Sequence, residues 1–232
     1  MFRFLENLVD PYQPYTEQDA PPTRLWPFLK DYVRPFRKVF AVTALFSVGN
    51  AVLDVGMIWY LGRLVDQMTG QTPAAFLAAH GTELIAVALV ILILRPLVAG
   101  GSVGLLHNTI MTNFGTMMRW RAHRHVLRQP VGWFESDFAG RIANRIMQAP
   151  PAAGEAVFQV FDMAAFAAAT FIGALLMLAE ADPRLMLPLL AWVIGYLLLM
   201  RWTIRRAGPA SKAASDARSA VTGRVVDSYT NI

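Results

Sequence analysis

The residues best equipped for chemistry in this chain are ionisable groups set inside long apolar runs. Asp54 lies in "VFAVTALFSVGNAVLDVGMIWYL", residues 39–61, with Asn50 one helical turn before it; Arg95 lies in "LIAVALVILILRPLVAGGSVGLL", residues 84–106. A charge near the centre of a bilayer costs at least ~2.5 kcal/mol, so each of these needs a partner or a water-filled cavity. Counted from the outer ends of their runs, Asp54 lies about seven residues deep and Arg95 about eleven, or ~10 and ~16 Å, within reach of a long arginine side chain. The pair can line a central cavity, where it would contact substrate or act as a gating ion pair. It can equally be a structural salt bridge, or the arginine can snorkel along its own stem. Pro96, beside Arg95, predicts a freed carbonyl and a kink. Asp162, near the start of a third apolar run, suits an interface or helix packing.

Other chemistries find little support. His80, His107, His123 and His125 have no metal-ligand spacing, and the last two fall on different faces of a helix. There is no cysteine, hence neither disulfide nor thiolate site. "AGGSVG" at 99–104 falls within an apolar run, where small residues serve helix packing. No G-x-x-x-x-G-K-[ST] occurs, so the chain is not expected to hold a nucleotide or hydrolyse ATP alone.

The elements that must position these residues follow from hydropathy. Only 16% of residues are charged and mean hydropathy is +0.40, which points to lipid as solvent. Four continuous apolar runs, about 39–61, 84–106, 157–179 and 185–204, lack period-two alternation and are each long enough to cross ~30 Å as a helix. The fold class is therefore all-α integral membrane, with four transmembrane helices and long cytoplasmic extensions. Residues 1–38 form a polar, proline-broken lead with no signal-peptide cleavage site. Within it, "LWPFLKDYVRPF" reads as an amphipathic piece on the membrane surface or as a loop.

Of 21 Lys and Arg, 18 lie before the first run, between the second and third, or at and beyond the end of the fourth. The positive-inside rule assigns that side to the cytoplasm. Topology thus accounts for the net charge of +5 and pI of 9.9, and no nucleic acid is needed as a partner. Helix-compatible sequence continues past the second run to Gln129, ~70 Å of helix from Glu83, so it should project well beyond the bilayer. The stretch at 205–232 is again helix-prone beyond Pro209, and its end at "SYTNI" reads as a truncation within a larger architecture.

The segment joining the second and third runs, "RWRAHRHVLRQPVGWFESDFAGRIANRI", residues 119–146, has a distinctive order of features: Arg121, Leu127, Pro130, the aromatic pair Trp133 and Phe134, then Ala139, Gly140 and Arg145. It resembles the first intracellular loop of ABC exporter transmembrane domains. "ADPRL" at 181–185, "LGRLVD" at 61–66 and "VTGRVVDSYTNI" at 221–232 are similar to other landmarks of that family. The resemblance covers about 39–232, with loop 1 at about 107–156 and the start of loop 2 at about 205–232. It implies the first four of six long helices of a half-transporter at a bacterial-type inner membrane. It also implies pairing with a second half, as a homodimer or with a distinct partner, and coupling to a nucleotide-binding domain that carries ATP and Mg. By position, the first coupling helix falls at 147–155, where Ala149 stands in place of the family's usual Asp and Pro150 and Pro151 are unusual. The second falls on Asp227, Ser228, Tyr229, Thr230 and Asn231. The implied activity is ATP-driven export of an amphiphilic, lipid-like or drug-like substrate. The alternatives are an integral-membrane enzyme acting on a lipid or isoprenoid, for which Glu135 and Asp137 form the only close acidic pair on a cytoplasmic loop between spans, and a non-transporting scaffold.

Overall fold

A computed structural model describes residues 3–17, 22–135 and 139–230, with side chains at all of these except 135, 139–141, 219, 226, 227 and 230. Most of the described residues are helical, and none of them lies in a strand. The order is α1 (Arg3–Glu6), α2 (Leu25–Val33), a 3₁₀ turn (Arg34–Phe36), α3 (Arg37–Met68), α4 (Pro73–Leu89), a π-turn (Val90–Leu94), α5 (Arg95–Leu105), a π segment (Leu106–Phe114), α6 (Gly115–Leu127), α7 (Val131–Glu135), α8 (Ala139–Ala181), a 3₁₀ turn (Pro183–Leu185) and α9 (Met186–Thr230). Four units among them are long and apolar enough to span a membrane, in the four places the hydropathy predicts. The longest, Pro73–Leu127, has 55 residues and measures ~80 Å at 1.5 Å per residue, over twice the hydrocarbon thickness.

Local chemistry sets the breaks. Gly70 takes φ 81° between α3 and α4, where a side chain would be strained. The Thr72 hydroxyl then accepts from the Ala75 N–H at 3.4 Å, with Pro73 in the first turn of α4. At the tight turn between α8 and α9, Asp182 Oδ1 accepts from the Arg184 N–H at 2.8 Å. Pro96 has no N–H to offer the Leu92 carbonyl. The helix widens into the π-turn just before it, with the Arg95 N–H donating to the Val90 carbonyl, and α5 then opens with Pro96 in a first turn that tolerates the missing donor. The disturbance predicted at Pro96 takes this form.

α3 is the hub, packing against α5 and α8. The close approaches are made by glycines: a methyl group at Gly101 would come within 2.8 Å of the Phe46 ring, and one at Gly173 within 2.9 Å of Val55. The densest apolar core lies at the end where α3 begins. There Phe36 meets Phe114 edge-on at 5.5 Å and Phe40 stacks on Phe161 at 4.9 Å. "LWPFLKDYVRPF" forms α2 and the following 3₁₀ turn, burying Leu29 and Phe36 while Leu25 and Trp26 stay exposed.

The proline-broken lead packs onto the second long helix. Residues 3–17 run alongside it in the same direction, residue by residue. Thr109 Oγ1 donates to the Leu5 carbonyl at 2.7 Å. Asn113 Nδ2 lies 2.6 Å from the Glu6 carbonyl and 2.8 Å from the Val9 carbonyl. Tyr12 sits edge-on to Trp120 at 5.5 Å, and Glu17 pairs with Arg124 and Arg128, each at 2.7 Å. This strap lies over the π segment and α6, and Thr109 and Asn113, one α-turn apart in sequence, both face it.

Two predictions follow from this packing. Gly101→Val overpacks against Phe46 and should destabilise the detergent-solubilised protein by ~1–3 kcal/mol; thermal unfolding should show a lowered midpoint that Phe46→Ala, in the same background, partly restores. Asn113→Ala leaves strap carbonyls unpaired, at ~1–3 kcal/mol for each group that stays buried. Amide hydrogen exchange across 3–17 should accelerate in that variant. It should not in Asn108→Ala, whose side chain, among the described residues, bonds the Gly104 carbonyl of its own helix.

Candidate functional site

The glycine contacts that draw α3 and α5 together bring Asp54 and Arg95 face to face. Arg95 Nη2 donates to Asp54 Oδ1 at 3.0 Å. The pair is far from sealed: the arginine side chain is 47% exposed and the aspartate 38%. Asn50, half-buried and four residues before Asp54, extends the same polar stripe along α3. Nearer the turn between α3 and α4, Glu83 pairs with Arg63 at 3.8 Å and His80 at 3.3 Å, tying α3 to α4. Deeper in the bundle, Ser47 Oγ contacts both Asp162 Oδ1 and the Thr43 carbonyl. Asp162 therefore serves the α3–α8 contact, the packing role its position suggests.

At the opposite tip, α6 stops where Pro130 removes a donor, and the short α7 carries the aromatic pair. Trp133 and Phe134 meet edge-on at 5.2 Å, and the Trp133 N–H donates to the Pro130 carbonyl at 2.9 Å. Gly140 lies in the first turn of α8 and Arg145 on an exposed face of it; Asp137 lies outside the described residues.

One expectation needs correction. Residues 147–155 do not open a coupling helix, because they lie inside α8, which runs unbroken through Pro150 and Pro151. Each internal proline normally costs ~3 kcal/mol or more. Here Pro150 is fully buried on a stripe with Gly154, Val157 and Phe158, and a methyl group at Gly154 would stand 3.3 Å from the Phe114 ring. Packing of that stripe holds the helix together, while Ala149 and Pro151 face outward. The short helix at the tip is α7, some fifteen residues earlier in the chain than the position carried over. Of the second set, Asp227, Ser228, Tyr229 and Thr230 continue α9. The Ser228 hydroxyl donates to the Val225 carbonyl at 2.7 Å and Tyr229 is exposed. Asn231 lies outside the described residues, as do the side chains of Asp227 and Thr230.

Sequence reasoning did not single out Arg121 as a site. Its guanidinium is clamped between the rings of Tyr15 in the strap, 4.4 Å away, and Tyr32 in α2, 5.1 Å away. Burial pulls this guanidinium below its ordinary pKa and pushes the Tyr32 phenol above its own. No local signal in the sequence marks this convergence, since Tyr15 and Arg121 lie about a hundred residues apart.

Comparison with known proteins agrees with this geometry. The family described as ABC transporter transmembrane region matches residues 40–232. An uncharacterized ABC transporter ATP-binding protein of Haemophilus influenzae is 28% identical over 233 residues, covering all of this chain and 38% of the relative. ATP-dependent lipid A-core flippases of Haemophilus influenzae and Pasteurella multocida are each 28% identical over 53% of this chain, covering 19% and 20% of their own lengths. The chain thus spans under two-fifths of the curated relatives it matches. No solved structure matches at comparable stringency. Four long apolar helices, an elbow between the second and third, and a family match over five-sixths of the sequence together establish that the chain belongs to the ABC transporter transmembrane region family.

Proposed function

We propose that this chain contributes to the translocation pathway of an ATP-driven exporter that moves an amphiphilic, lipid-like substrate across a bacterial-type inner membrane by alternating access. The observation that carries the reading is the Asp54–Arg95 pair. Two charges bonded at 3.0 Å yet exposed by 47% and 38% are a poor neighbour for acyl chains. A charge-bearing face at that depth is stable where water, polar substrate or another protein surface covers it. On this reading Asn50, Asp54 and Arg95 line the path, and the pair's opening and closing accompanies the change of access.

Energy input belongs to a nucleotide-binding domain, fused or separate, which supplies the ATP and Mg chemistry; no residue of this chain is assigned to hold either. The domain would push on the tip formed by α6, α7 and the start of α8, and the continuous helices would carry the displacement into the bilayer. A second half-transporter completes the path. The lipid class of substrate is supported by the lipid A-core flippase relatives and by the apolar surroundings of the pair.

The test is made on the complete transporter in proteoliposomes. Asp54→Asn and Arg95→Gln should each lower ATP-dependent flipping of a fluorescent lipid by about tenfold, equivalent to ~1.4 kcal/mol. Unchanged flipping in both would remove the pair from the path. Trp133→Ala with Phe134→Ala should disconnect the tip: ATP turnover continues while flipping falls. Proportional loss of both would instead assign the aromatic pair to folding.

A further inference from the structure

A second polar site lies at the basic end of the bundle, away from the Asp54–Arg95 face. The strap, α2, the 3₁₀ turn after it, the first turn of α3 and α6 line an open cavity of about 1060 Å³. Its lining holds Arg34, Arg37, Lys38 and Arg121, with His125 beside them; Asp31 also lines it, and Arg128 is held by Glu17. Among the described lining residues, with Arg128 set aside against Glu17, four cations stand against one acid. Arg34, Arg37 and Lys38 make no ion pair among the described residues.

Arg121 distinguishes this cavity from the basic fringe of an ordinary membrane helix. It is only 8% exposed, is fixed between Tyr15 and Tyr32, and its Nε has no hydrogen-bond partner among the described residues. A buried guanidinium with an unused donor is a costly arrangement unless an anion completes it. The planar guanidinium fork matches phosphate oxygens in a bidentate manner. Because the two rings already hold Arg121 in place, little conformational freedom remains to be lost on binding.

The location and size indicate what would bring the phosphate. Lys38 is followed directly by the apolar run of α3, so the cavity adjoins the edge of the hydrocarbon layer, and the exposed Leu25 and Trp26 of α2 suit that interface. The volume is that of a site for a drug-sized ligand, ample for a headgroup with its glycerol and larger than a lone phosphate needs. We infer that this cavity binds the phosphate-bearing headgroup of an anionic lipid from the adjacent leaflet, clamped by Arg121 and by Arg34, Arg37 and Lys38. The strap forms one wall, so occupancy also ties the lead to α6.

The experiment is native mass spectrometry of the full-length protein in detergent, titrated separately with phosphatidylglycerol, phosphatidylcholine and inorganic phosphate. Wild-type protein should retain phosphatidylglycerol at least tenfold more tightly than phosphatidylcholine. The exposed triple variant Arg34→Gln/Arg37→Gln/Lys38→Gln should lose that preference with unchanged thermal unfolding. Arg121→Lys, which keeps the charge without the planar fork, should weaken phosphatidylglycerol retention severalfold. Equal retention of the two lipids by wild type, or an undiminished preference in both variants, overturns the proposal. Variant-sensitive binding of inorganic phosphate, with no preference between the lipids, overturns the lipid source and assigns the cavity to a soluble phosphate ligand.

Discussion

Charge inside hydrocarbon must be neutralised, and much of this structure follows from how α3 and α5 meet that demand. The ion pair requires Asp54 and Arg95 to stand at one level, and the contacts on one side of it supply that register: Gly49 against Val98, and Gly101 against the Phe46 ring. The π-turn before Pro96 belongs to the same solution. By absorbing the missing backbone donor just ahead of Arg95, it lets a charged residue and a proline share the opening turn of α5 with the helix unbroken on either side.

A second theme is the passage of long helices through prolines that would otherwise end them. Pro150 and Pro151 in α8 and Pro209 in α9 all lie in helix interiors. For Pro150 the compensation is plain, since its ring lies on the buried stripe that meets Phe114. Continuity matters to the proposed mechanism, because a helix that ended at Pro150 could not transmit a displacement from its tip. The strap adds stiffness on the other side of the elbow, its carbonyls satisfied by Thr109 and Asn113 and its far end fastened by Glu17.

Much of this was legible in the residues. Continuous apolar runs located the four spans, and depth and arginine reach allowed an Asp54–Arg95 pair while leaving a snorkelling arginine open; the structure forms the pair. The order of features from Arg121 to Arg145 led to the family. What escaped was long-range or depended on tertiary packing. Two adjacent prolines suggest a helix start on local grounds, and only the buried stripe around them explains why α8 passes through. The strap was hidden because its partners lie about a hundred residues away, and a proline-rich lead carries no periodicity to mark a docked face. Arg121 looked like one basic residue among many, since nothing local shows that Tyr15 and Tyr32 converge on it.

The central claim is that the face bearing Asn50, Asp54 and Arg95 meets a polar path. Because this chain has no cysteine, a cysteine introduced into it can be followed alone once any elsewhere in the transporter are removed. A thiol must reach water to ionise and react. Asn50→Cys in membrane-embedded transporter should be modified by a membrane-impermeant maleimide, at a rate that changes when ATP is supplied. Val52→Cys, on the opposite side of α3, should stay inert. Equal inertness at both positions would contradict the account, placing the ion pair in a dry structural contact.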